Sequence, residues 1–200
     1  MSRQNAEVSL VREDTVSLVT ALQAGSPVAA AALYDRCAKN VHGLLYRTLG
    51  PDSELDDLVH ETFLAVLASI GRLRDAQALD GWVAAITVSV ARARLQRRRR
   101  RWWLSFLPRE ELPEPPPLDP DETAGETLRA CWKALDELEP RRRLALVLRH
   151  VEGLSLDEGA AALGVSLATF KRTLVKAEDD FRALSTRFPV LRQWLEEGSS

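Results

Sequence analysis

The stretch LPREELPEPPPLDPDETAGE constrains this chain more than any other feature. From Glu110 to Glu126 it carries seven carboxylates and no basic side chain, with prolines throughout. Proline removes the amide donor that a helix needs and favours extended backbone, and like charges repel. A single core does not run through such a segment, and a structureless stretch of this length inside a compact unit reads as a linker. On both sides of it the apolar residues recur at helical spacing. The expected fold is therefore all-α: an N-terminal helical bundle over 1–103, a flexible acidic linker over 104–124, and a C-terminal helical domain over 125–200.

In the first block the spacing predicts helices over 13–24 and 27–49, the second with Leu33, Val41, Leu44, Leu45 and Leu49 on its apolar stripe. Gly50-Pro51 ends it, a permissive residue followed by a breaker. Asp52 or Ser53 is the expected N-cap of a third helix, which buries Leu55, Leu58, Val59, Phe63, Val66, Leu67 and Ile70 and stops at Gly71. A fourth starts between Gln77 and Asp80, turns Trp82, Val83, Ile86 and Val90 inward, and runs into ARARLQRRRRRWW. That segment holds seven arginines and no acid in a chain of formal net charge −2. Five consecutive arginines on one helix repel each other, so a polyanion partner accounts for them better than a solvated run does. Trp102 and Trp103 are expected to pack back on the first domain, with stacking on a base as the alternative.

Other classes of function find little support. The 46% apolar content suits a chain with a real core, yet no run of 18 uncharged apolar residues exists, so membrane insertion is not expected. The first residues, MSRQNAEVSLVREDTVS, lack the apolar segment of a signal peptide. Cys37 and Cys131 lie far apart in helical patterns and read as buried thiols in a reducing compartment. The histidines and cysteines show no metal-ligand spacing, and there is no glycine-rich phosphate loop or nucleophile motif. The chain reads as a non-enzyme with no cofactor. His42 and His150 read as surface or satisfied core histidines.

The sharpest motif is GLSLDEGAAALGVSLATFKRTLVKA, Gly153 to Ala177. Ser155 and Glu158 form a capping box at the start of a short helix. Gly164 stands where a left-handed turn residue is needed, Val165 anchors the turn, and Ser166 caps a second helix with Phe170 and Leu174 facing inward. This is the arrangement of a DNA-reading helix-turn-helix, whose second helix enters the major groove by its N-terminal part. Ser166, Thr169, Lys171, Arg172, Thr173 and Lys176 are its candidate contacts. Two features cut against it: Gly159 inside a short helix costs about 1 kcal/mol relative to alanine, and Glu178, Asp179 and Asp180 put acid beyond the basic cluster.

Taken together, SELDDLVHETFLAVLASIGRL, LDGWVAAITVSVARARLQRRRRR and LDELEPRRRLALVLRHVEGLSLDEGAAALGVSLATFKRTLVKAEDDF resemble three segments of the bacterial sigma factors of the small, two-domain, extracytoplasmic-function type, over residues 14 to 185. The resemblance implies a cytoplasmic specificity subunit that binds core RNA polymerase and directs initiation by melting the minus-ten element and recognising the minus-thirty-five element. It implies that Asp56, Asp57, His60, Glu61 and Leu64 dock on the clamp helices of the beta-prime subunit. It implies a minus-ten surface of Arg72, Arg74, Gln77, Ser89, Arg92, Arg94, Arg97, Arg98, Arg99, Arg100 and Arg101, with the arginines on duplex phosphates, and an anti-sigma factor as a further partner. The chain departs from the family pattern at His60, Ser89, Ala93 and Glu178, which bears on promoter preference. The alternative reading is a stand-alone helix-turn-helix regulator that does not bind polymerase, and it leaves the acidic third helix unexplained.

Overall fold

The computed structural model describes residues 14–104 and 122–192, and among these it contains helices and turns but no strand. Residues 14–23 are helical (α1). α2 spans Pro27–Leu49; Ser26 caps it by accepting from the Ala29 amide, with Pro27 in the first turn. Gly50, at φ 74°, ends it with its own amide donating to the Tyr46 carbonyl. α3 spans Leu55–Ser69, and α4 spans Leu79–Leu104, with 3₁₀ turns at Ile70–Arg72 and Ala76–Ala78 between them.

α5 (Glu122–Glu137) opens the C-terminal half. α6 (Pro140–Leu146) starts on a Glu139 cap with proline in its first turn. After α6 the helix changes pitch, and Val147–Val151 form a π-helical turn before Gly153 reverses the chain at φ 69°. α7 (Leu156–Leu163) and α8 (Leu167–Ser185) follow, and residues 189–192 begin a last helix, α9, which buries Leu191 against Ala130 and Ala134. The expected linker, 104–124, lies outside the described residues except at its ends, where α4 includes Leu104 and α5 begins at Glu122. Trp102 and Trp103 belong to α4, but their side-chain packing lies outside the described set.

The two halves are not separate in this structure. One apolar cluster runs from Val19 through Leu33, Leu45, Leu58 and Val66 to Val83, Ala91 and Leu95, and on into Leu144, Leu148, Leu163 and Phe170. α4 lies at its centre, packed on α2 and α3 and also on α6 and α7. The positions expected to turn inward on α4 do so, with Val83 and Val90 buried and Trp82 and Ile86 half-buried against the core; Thr87, Val88, Ala91 and Leu95 are buried as well, because α4 is covered from two directions. Cys37 and Cys131 are both free thiols, and burial raises the pKa of each.

Candidate nucleic-acid interface

The helix-turn-helix is set by hydrogen bonds that span three to five residues. Ser155 Oγ accepts from the Glu158 amide at 3.2 Å, and the Glu158 carboxylate accepts from the Ser155 amide at 2.8 Å. That backbone bond, with the Ser155 hydroxyl, holds the Glu158 carboxyl below its usual range. Gly164 takes the left-handed conformation (φ 66°, ψ 40°), the Val165 amide closes on the Ala160 carbonyl, and Ser166 accepts from the Thr169 amide at 3.2 Å. Gly159 has a packing reason for being glycine. A Cβ there would stand 2.4 Å from Phe170 Cζ, and Phe170 is fully buried. Glycine lets α7 and α8 approach at the point where the ring of one meets the backbone of the other.

On α8 the exposed residues Lys171, Arg172 and Lys176 share one stripe. Ser166 is exposed at its head. Thr169 and Thr173 are half-buried, and their hydroxyls are engaged at home: Thr169 Oγ1 lies 2.9 Å from Ser166 Oγ, and Thr173 Oγ1 donates to the Thr169 carbonyl at 2.8 Å. Two apolar positions that residue type alone did not single out complete the stripe: Ala168 is exposed and Val175 is 56% exposed. Their three- and four-residue spacing from Lys171 and Arg172 was the signal available. The acids beyond the stripe are paired within the fold, Glu178 with His150 at 2.8 Å, Asp179 with Arg182, and Asp180 with Arg142.

The arginine run divides. Arg99 and Arg100 are exposed, Arg92 is half-buried, and the side chain of Arg101 lies outside the described set. Arg97 is exposed and lies 3.4 Å from Glu61 on α3. Arg94 departs from the expected role on DNA. It is buried, gripped by Asp52 through two bonds of 2.9 Å and by Glu54 at 2.7 Å, which leaves its guanidinium no open face for a phosphate. Arg98 is also engaged, donating to the Leu49 carbonyl at 3.1 Å and to Asp52 at 2.6 Å. Asp52 is thus not the N-cap of α3, a position held by Glu54 without a side-chain bond. Asp52 is the counter-ion of two arginines on α4, its side chain only 2% exposed. Burial pushes its carboxyl up, but bonds from Arg94 and the Glu54 amide, with the charges of Arg98 and Arg94, outweigh that and hold it below the usual range.

Upstream of α4, Arg72 and Gln77 are exposed on the two 3₁₀ turns, Arg74 is exposed on the segment between them, and Ser89 is exposed on α4. Gln23 of α1 holds this connection by donating to the Ile70 and Leu73 carbonyls at 3.3 and 3.0 Å. Asp75 caps the second turn. Arg36 braces the start of α4 through a two-pronged bond to Asp80 at 3.2 and 2.8 Å.

A second exposed face lies on α3. Asp56, Asp57, His60, Glu61 and Leu64 all face outward, Leu64 with 69% of its surface exposed, and Leu67 extends the patch. Beside it a shallow groove of about 370 Å³ runs between α2 and α3, bordered by Tyr34, Lys39, His42 and His60. Acids ringing an exposed leucine suit a basic protein partner, with the leucine as anchor and the charges as guides. Among the described residues no group of histidine, cysteine or carboxylate side chains could hold a metal ion, and no helix is long and apolar enough to cross a membrane.

Comparison with known proteins gives consistent matches. The family described as Sigma-70 region 2 matches residues 33–101, and Sigma-70, region 4 matches residues 128–179. Over 134 residues the chain is 34% identical to the RNA polymerase sigma factor CarQ of Myxococcus xanthus, covering 67% of this chain and 76% of that protein. Over 151 residues it is 34% identical to the ECF RNA polymerase sigma factor SigE of Mycolicibacterium smegmatis, covering 72% of this chain but only 57% of that protein. The fold is similar to that of CnrH, solved with the cytosolic domain of CnrY (TM-score 0.59, 20% identity, 86% of this chain and 96% of that one). It is also similar to that of the sigma factor RpoE of Bartonella quintana, solved with the anti-sigma factor NepR (TM-score 0.57, 19% identity, 77% and 94%).

Proposed function

This chain belongs to the sigma-70 family of bacterial RNA polymerase sigma factors, in its extracytoplasmic-function branch, and on that premise we propose that it binds core RNA polymerase and directs initiation at promoters. The region 2 match covers α3 and α4, and the region 4 match covers the helix-turn-helix. The observation that carries the reading is that one chain presents both an acidic, leucine-centred face on α3 and a basic stripe on α8. A stand-alone regulator has use for only the second.

In this reading Asp56, Asp57, His60, Glu61 and Leu64 dock on the clamp helices of the beta-prime subunit. Lys171, Arg172 and Lys176 hold phosphates and base edges at the minus-thirty-five element. Arg72, Arg74, Gln77 and Ser89 line the surface that meets the minus-ten element, and Arg97, Arg99 and Arg100 neutralise duplex phosphates beside it. Base capture at the minus-ten element costs a few kcal/mol of unstacking, which those phosphate contacts help to offset. The work of the protein is recognition rather than bond chemistry. Its place is the cytoplasm, where core polymerase is, and an anti-sigma factor of the kind seen with RpoE is its expected regulator. Run-off transcription with purified core polymerase on genomic fragments is the test. Transcripts starting at discrete sites only when the protein is added support the reading, and failure to bind core at low ionic strength overturns it.

A further inference from the structure

The connection between α3 and α4 is tied at both ends to α1, a helix that precedes the residues matched to Sigma-70 region 2. Gln23, the last residue of α1, donates from Nε2 to the Ile70 carbonyl at 3.3 Å and to the Leu73 carbonyl at 3.0 Å. These carbonyls bracket the first 3₁₀ turn, whose own bond runs from the Leu73 amide to the Ile70 carbonyl at 3.1 Å. Near the other end of α1, Thr15 Oγ1 accepts from Arg36 at 3.0 Å, and the same guanidinium grips Asp80 in the first turn of α4. Between the two ties, Leu73 and Leu79 are buried in the core that Val19 and Leu22 of α1 share. Arg72, Arg74 and Gln77 stand outward from this frame.

The connection has little to fix its shape from within. The backbone bonds it makes for itself, Leu73 to Ile70 and Ala78 to Asp75, are of the 3₁₀ type, which is short and poorly aligned. One side-chain amide that donates to two carbonyls sets the distance between them, and with both protons so used it has none left to donate to DNA. Gln23 is exposed, so replacing it opens no hole in the core. Capturing an unstacked base, by contrast, needs its contacts in place before the base arrives, because ordering them at that moment subtracts from binding. Resting on the sigma-factor reading above, we propose that Gln23 is a positioning residue for promoter recognition. From α1 it fixes the connection so that Arg72, Arg74 and Gln77 meet the unstacked minus-ten base in a preset arrangement. The Thr15–Arg36–Asp80 tie anchors the far end, and Gln23 itself touches no nucleotide.

The test uses the full chain assembled with core polymerase and carrying Q23E, Q23L or Q23K. Q23E and Q23L keep the side chain's size and remove its donors, whereas Q23K keeps a donor. The probes are fluorescent single-stranded oligonucleotides, one with the minus-ten segment of start sites mapped with wild type and one with that segment scrambled. The readout is the ratio of the two affinities, in which a general change of charge cancels because both probes carry the same phosphates. Q23E and Q23L should cut this preference roughly tenfold, and Q23K should keep it within about threefold of wild type. Core polymerase capture, minus-thirty-five duplex binding and Tm should stay at wild-type values, which a merely structural role would lower together. Wild-type preference in Q23E and Q23L, a loss shared equally by the scrambled probe or by core capture, or a Q23K as defective as Q23L would each overturn the proposal. If circular dichroism shows that a variant is unfolded, Q23A replaces it under the same criteria. A wild type that yields no start sites with core polymerase refutes the sigma-factor reading and this inference with it, whereas mapped promoters with unchanged preference in Q23E and Q23L refute the inference alone.

Discussion

Replacing Gly159 with alanine pits two well-measured effects against each other, and the structure decides the sign. Helix propensity alone predicts a gain of up to about 1 kcal/mol. The new methyl would, however, sit 2.4, 2.9 and 3.0 Å from three carbons of the Phe170 ring. Carbon pairs are most stable near 3.5–4.0 Å, so the ring or α7 must retreat by about 1 Å. Phe170 is fully buried and has no solvent to retreat into. Overpacking of this kind costs about 1–3 kcal/mol. With the larger clash outweighing the propensity gain, we expect a net loss of about 1–2 kcal/mol and a fall in Tm of roughly 2–8 °C for a chain of this size. Urea unfolding followed by circular dichroism measures the loss. The double variant G159A/F170L, in which the ring is replaced by a smaller side chain, should recover at least about 0.5 kcal/mol relative to additivity. A G159A protein as stable as wild type or more so, with no coupling to F170L, would show that the ring does not press on this position.

Asp52→Asn leaves Arg94 and Arg98 without their shared buried carboxylate and should cost about 3 kcal/mol in chemical unfolding. Because the folded-state pKa of Asp52 is depressed, its contribution to stability is present above the unfolded value near 4 and is lost as pH falls below it. Stability of D52N should therefore vary less than that of wild type in acid titrations below about pH 4. K171A/R172A should weaken binding to minus-thirty-five duplex and lower the slope of log affinity against log salt by roughly 1 for each phosphate contact removed, as read by fluorescence anisotropy. Asp57→Lys, on the exposed acidic face, should reduce core polymerase capture roughly tenfold while changing stability by less than about 0.5 kcal/mol.

The helix-turn-helix and the helical breaks were legible in the sequence because each is made by residues a few positions apart. The capping box at Ser155 and Glu158, the left-handed Gly164, the Ser166 cap and the Gly50 stop all close through hydrogen bonds within a turn or two, so residue type and spacing specify them. The stripe of Lys171, Arg172 and Lys176 follows from the 3.6-residue period once Phe170 and Leu174 are taken as inward. What the tertiary structure alone decided involves partners distant in the chain. Arg94 and Arg98 meet Asp52 across 42 and 46 positions, and Arg143 meets Thr48 across 95. A run of arginines looks uniform as a string, yet the fold sorts it into a pair, Arg94 and Arg98, bound to Asp52 and tying helices together, and an exposed set still facing solvent. Likewise Gly159 reads locally as a defect and becomes, against Phe170, the residue that lets two helices meet. Local geometry is encoded by neighbours; the use of a charge or of a missing side chain is settled only by what the fold brings against it.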